Sequence, residues 1–103
     1  MIEIIFSTIA PNVCRLKIVG HSGSAKKGED IICAAVSALA QTFIGGCEAE
    51  LDAKAEGEMK PGDLDVTVNV LSEKVSELQA VYNVFNFGFR KIAQAYPKHV
   101  KMN

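Results

Sequence analysis

The chain has 103 residues, 49% of them apolar and 22% charged, which is material for a single domain over 1–103 and too apolar for disorder. Eleven basic residues against twelve acidic ones leave a net charge of −1, so no basic surface draws it onto a phosphate backbone and nucleic acid is not expected as a direct partner. Glu3 stands where a signal peptide needs a basic start, and no apolar run is read as approaching the roughly 18 residues of a membrane span, so a cytoplasmic protein without a membrane partner is expected.

Alternation of Ile2, Ile4 and Phe6 with Glu3, Ile5 and Ser7, and of Cys14, Leu16 and Ile18 with Arg15, Lys17 and Val19, predicts two strands joined as a hairpin around Ala10, Pro11 and Asn12. Periodicity then stops. Residues 20–30 hold Gly20, Gly23, Gly28, Lys26 and Lys27 and nothing that anchors a core, which predicts a mobile loop. Asp30 is placed to cap a helix over 31–44 whose surface is apolar almost all round (Ile31, Ile32, Ala35, Val36, Leu39, Phe43), with Gly45 and Gly46 as its stop.

Two further strands follow. Ala49, Leu51, Ala53 and Ala55 alternate with Glu48, Glu50, Asp52 and Lys54; Leu64, Val66, Val68 and Val70 alternate with Asp63, Asp65, Thr67 and Asn69; Gly57, Pro61 and Gly62 mark the turn between them. Ser72 is read as the cap of a second helix in which Leu78, Val81, Tyr82, Phe85, Phe89, Ile92 and Tyr96 recur at helical spacing, ending before Pro97. The pattern allows a short last strand at Val100.

The order strand, strand, helix, strand, strand, helix, with polar alternation on each strand, predicts an α+β two-layer sandwich: a mainly antiparallel sheet with both helices on one face. The first helix is more apolar than one sheet face can cover, which leads to the expectation of a homodimer formed through helical surface.

Three cysteines, Cys14, Cys33 and Cys47, form no CxxC and are odd in number, which fits neither a disulfide framework nor a structural zinc site. A shared metal also fails on reach, because a helix between Cys33 and Cys47 holds them about 20 Å apart. No metal and no cofactor is expected. The lysine-bearing glycine loop leads into a helix start as an anion trap does, yet it fits neither phosphate-binding glycine motif, and Ser22 lacks the surroundings of a nucleophilic serine.

The pair worth following is His21 and Cys33. With Asp30 as cap, Cys33 is the third helical residue, where free backbone N–H groups and the positive helix end favour a thiolate and can hold an oxyanion; a histidine within reach supplies a base. Against this, cysteine is among the most buried residue types, and a lone cysteine in an apolar helix is ordinarily core. Cys14 and Cys47 are read as structural, and His99, after Pro97, as solvated.

The run Gly20, His21, Ser22, Gly23, Ala25 and Gly28, continuing through Asp30, Ile31, Ile32, Cys33, Ala34, Ala35, Val36, Ser37, Ala38 and Leu39, resembles the signature of the ribosomal-processing cysteine protease family called Prp. Tyr96, Pro97 and Lys98 look like that family's C-terminal end. The resemblance implies a small dimeric bacterial α+β protein whose substrate is a precursor of a large-subunit ribosomal protein, from which a short N-terminal extension is removed. It implies His21 as general base and Cys33 as nucleophile. Asp30 matches an acidic position that orients His21, caps the helix or does both. Ser37, four residues after Cys33 and on the same helical face, either meets a bound peptide or packs as a small residue, and Gly20 and Ser22 are carried as further substrate-side positions. Ser24 stands where the family often has an aromatic residue, which alters loop closure or side-chain preference. The loop would order on substrate binding, with Gly20, Gly23 and Gly28 as hinges. A second reading is a non-catalytic dimeric module that binds a ribosomal protein or a ribosome-assembly factor, with Cys33 merely packed.

Overall fold

The computed structural model describes residues 1–20, 27–60 and 62–103, of which 27–30 by backbone alone. The elements run β1 (Ile2–Ala10), β2 (Val13–Val19), α1 (Lys27–Leu51), β3 (Lys54–Lys60), β4 (Asp63–Asn69), a 3-10 turn (Ser72–Lys74), α2 (Val75–Ala95) and β5 (Val100–Met102). The strands form one sheet in the order β3-β4-β2-β1-β5. Every pair is antiparallel except β1 with β5, which run parallel.

Period-two alternation sends Ile2, Ile4, Phe6, Cys14, Leu16, Ile18, Val66 and Val68 into the core and leaves Glu3, Arg15, Lys17 and Asp65 on the opposite face. Phe6 fixes the helices to one side. Its ring lies 4.8 Å from Phe43 of α1 and 4.4 and 5.4 Å from Tyr82 and Phe89 of α2, so both helices cover the same face, as expected of a two-layer α+β sandwich. The Tyr82 hydroxyl donates to the Phe6 carbonyl at 2.9 Å, which satisfies the polar end of a half-buried ring packed against the core. On the open face the Arg15 guanidinium meets Asp65 through both carboxylate oxygens, at 3.0 and 2.8 Å, and holds that carboxyl below its usual range.

The boundaries of three elements differ from the sequence pattern. First, α1 starts at Lys27 and runs through Gly45 and Gly46 to Leu51, instead of spanning 31–44. Neither glycine has a positive φ, so neither makes the left-handed turn that ends a helix. That turn falls at Asp52, φ 51°, after which the Ala53 N–H reaches the Cys47 carbonyl at 3.2 Å. Burial of Phe43, Ile44, Cys47 and Leu51 along one face carries the helix past two poor helix formers. Second, the strand read from Glu48 onward therefore begins only at Lys54. Third, Ser72 opens the 3-10 turn and does not cap α2, whose N-cap position is Lys74, without a side-chain cap.

Burial along α1 is one-sided, although its apolar surface is not: Ile32, Val36 and Ala40 are buried, while Ile31, Ala34, Ala35 and Ala38 are exposed. Residues 31–51 are long and apolar enough to cross a membrane by length and composition, contrary to the expectation from the sequence. A core helix of a soluble domain passes the same test, and this one carries Phe43 against Phe6 of the sheet. The short last strand is present. It is tied to β1 at both ends, with the Ile2 N–H donating to the His99 carbonyl at 2.8 Å and the Asn103 N–H to the Ile4 carbonyl at 2.9 Å. His99 is half-buried and engaged with a neighbour, not solvated as its position near the terminus suggests.

Candidate active site

The site lies at the end of the sheet where β2 finishes and β4 begins. Register places Ile18 opposite Leu64, and Leu64 opposite Met59, so three apolar side chains cross from β2 to the edge strand β3. Just beyond them the Gly20 N–H donates to the Gly62 carbonyl at 2.9 Å and extends the ladder by one rung. Gly20 has φ +95°, and a Cβ there would collide with the Met1 carbonyl oxygen, so only glycine fits. The expectation of a mobile segment starting at Gly20 therefore does not hold for Gly20 itself.

A cleft of about 570 Å³ opens between this row and α1. The helix contributes Cys33, Val36, Ser37, Ala40 and Gln41 to it. Ile18, Leu64 and Met59 line it from the sheet, with Gly20, Lys60 and Asp63 also bordering it. Of the residues proposed from sequence, Cys33, Ser37 and Gly20 are brought together here. His21 and Ser22 lie outside the described residues, as do Gly23, Ser24 and the side chain of Asp30.

Cys33 is reduced and half-buried, while Cys14 and Cys47 are each 1% exposed. Burial pushes both of those thiols up to about 11, with Cys47 adding to the shift on Cys14, so at neutral pH they are protonated and enclosed. Only Cys33, of the three, meets open space at a cleft.

The helix start changes the chemistry assigned to Cys33. With α1 beginning at Lys27, Cys33 is its seventh residue and Asp30 its fourth. Asp30 therefore does not cap the helix, and the expected hinge at Gly28 is helical. The N–H groups without intrahelical partners are those of the first turn, near 27–30, so Cys33 lacks the free amides that its predicted place at the helix start would have supplied.

Gln41, Met59, Lys60, Asp63 and Leu64 were not anticipated as site residues. Gln41 carries a local signal, since 33, 37 and 41 share one helical face. The others arrive because β4 pairs with β2 and carries the β3–β4 hairpin to the cleft, a long-range pairing that no short-range pattern announces.

A reduced cysteine on the wall of an open cleft is placed for thiol chemistry on a bound ligand, and the class of that chemistry comes from comparison with known proteins. The family model described as cysteine protease Prp matches residues 1–101, so the chain belongs to the Prp family and is a cysteine protease. The ribosomal processing cysteine protease Prp of Mycoplasma genitalium is 28% identical over 88 residues, covering 82% of this chain and 81% of the relative. Among solved structures, SMU.848 from Streptococcus mutans is 25% identical with a TM-score of 0.80, covering all of this chain and 92% of that one. The essential ribosomal processing protease Prp from S. aureus, in complex with a substrate peptide, shares the fold at TM-score 0.78 and 14% identity, covering all of this chain and 98% of that one. Family membership sets aside the non-catalytic module.

Proposed function

We propose that this protease removes a short N-terminal extension from a large-subunit ribosomal protein, with Cys33 as nucleophile and His21 as general base. The observation that carries the assignment is the exposure of Cys33 alone among the three thiols, at a cleft whose border includes Gly20, the residue bonded to His21. The Cys33 thiol gives its proton to the imidazole, and sulfur attacks the scissile carbonyl carbon. Collapse of the tetrahedral adduct expels the amine, which takes that proton, and leaves a thioester. Water then adds to the thioester and returns a free carboxylate and the thiol. Ser37 and Gly20 border the same cleft and are assigned to the substrate; no cofactor enters the reaction.

The protein acts in the cytoplasm as a homodimer, without direct contact to nucleic acid. Exposed Ile31, Ala34, Ala35 and Ala38 on α1, and Val84 and Phe87 at 67% and 64% exposure on α2, supply the apolar helical surface for a second copy. Monomer alone in sedimentation at micromolar concentration would remove the dimer.

Mass spectrometry of the ribosomal precursor after incubation tests the assignment. Wild type is expected to cut once near the precursor's N-terminus, and Cys33→Ser and His21→Ala to leave it intact while retaining the wild-type circular dichroism. Cleavage by Cys33→Ser would discard the nucleophile; cleavage by His21→Ala would point to another base.

A further inference from the structure

The cleft wall formed by α1 has two edges. Val36 and Ala40 are buried toward the sheet, whereas Ser37 and Gln41 are exposed along the opening. Among the described residues neither the Ser37 hydroxyl nor the Gln41 amide has a hydrogen-bond partner. Two polar groups are thus held at a cleft beside the nucleophile and are not used by the protein itself.

Their spacing matches an extended chain. Four residues of α-helix rise about 6 Å, and two residues of a strand span about 6.6 Å. A peptide lying along α1 with its scissile carbonyl at Cys33 brings its second residue from the cut to Ser37 and its fourth to Gln41, with an accumulated mismatch of about 1 Å. Each four-residue step also turns about 40° around the helix, so position 41 is displaced sideways by twice that rotation. A serine there would fall short. Glutamine has two more side-chain carbons and carries both a donor and an acceptor, which is what a strand backbone presents at each residue. Alternate side chains of such a peptide would face the row of Ile18, Leu64 and Met59.

We infer that Gln41 is a specificity residue of this protease: its side-chain amide hydrogen-bonds the substrate backbone at the fourth residue from the scissile bond and sets the minimum length of peptide that binds well. The inference rests on the proposed peptide cleavage at Cys33 and adds a named subsite to it.

The test uses full-length Cys33→Ser protein, so that binding is read without turnover, and nested peptides of the precursor's N-terminal segment reaching from two to six residues on each side of the cut. Affinity is expected to step up about tenfold when the fourth residue is added, as for one hydrogen bond made in a desolvated cleft, and on one side of the cut only. Adding Gln41→Ala should erase that step. Replacing the fourth residue's amide N–H by an ester oxygen should weaken binding to Cys33→Ser and have little further effect once Gln41 is alanine, a coupling that a merely structural role would not produce. Peptides that bind and are cleaved by wild type with no step at the fourth residue, or with a step that survives Gln41→Ala, overturn the role of Gln41 alone. Failure of every peptide to bind or be cleaved overturns the proposed function together with it.

Discussion

Replacing Gly45 and Gly46 by alanine tests whether α1 is continuous to Leu51. Neither glycine has a positive φ, and a Cβ built at either position finds no heavy atom within 4 Å. The substitution therefore costs no packing and no backbone strain. It gains the helix propensity that glycine lacks, about 0.8–1.0 kcal/mol per site and so about 2 kcal/mol for the pair. An unfolding entropy of about 2.1 cal/mol/K per residue over 103 residues converts that gain into a rise in Tm of about 8–9 °C. Scanning calorimetry measures the rise, with far-ultraviolet circular dichroism to follow helix content. A drop in Tm, or a loss of helicity, would mean that the chain leaves the helix at Gly45 and that alanine has been forced into a glycine-only turn. A gain seen only in dilute samples would place the two glycines in the contact between copies.

Gly20→Ala is expected to act in the opposite direction. Its φ of +95° costs alanine about 1–3 kcal/mol, and the clash is with the Met1 carbonyl, which no side-chain rotation relieves; thermal unfolding should fall by at least roughly 5 °C, and an unchanged Tm would contradict the geometry. Thiol titration of the native protein should find one reactive cysteine, Cys33, and of the denatured protein all three; prompt reaction of Cys14 or Cys47 in the native state would contradict their enclosure. The same two thiols make stability pH-dependent. Their values in the fold, about 11, lie above the ordinary 9.0, so the stabilisation is whole below pH 9 and is lost as pH rises through about 11. Denaturant melts across that interval should show the decline, which Cys14→Ala and Cys47→Ala should each reduce.

The strands β1, β2 and β4 were legible because one face of the sheet stays solvated, so each writes its polarity into the sequence as alternation, complete in β4, interrupted by Ile5 in β1 and by Val13 and Val19 at the ends of β2. α2 was legible for the matching reason, with Leu78 and Phe89 buried and Glu77, Gln79, Asn83, Arg90 and Lys91 exposed. The end of α1 was not. Glycine fits a stop as well as an interior, and Glu48, Ala49, Glu50 and Leu51 imitate a strand's alternation over four residues that are in fact the last turn of the helix. The better signal was Ala40, Phe43, Ile44, Cys47 and Leu51, whose helical spacing continues across Gly45 and Gly46. The start of α1 misled in the same way, because Asp30 is a good cap by residue type yet stands fourth in a helix that begins at Lys27. For the site, spacing put Cys33 and Ser37 on one face, and the structure adds the wall they face. Leu64 came from pairing with Ile18, a residue distant in sequence, and Met59 followed it across the β3–β4 hairpin; local periodicity carries no information on the first of these steps.

The most direct test of the central claim is the mass of the enzyme itself during turnover, quenched with acid while precursor is being consumed. The account predicts a transient adduct equal to the N-terminal product joined as a thioester, located by peptide mapping on the fragment that contains Cys33 and absent from Cys33→Ser. An adduct on another residue, or precursor cleavage by Cys33→Ser, would contradict it.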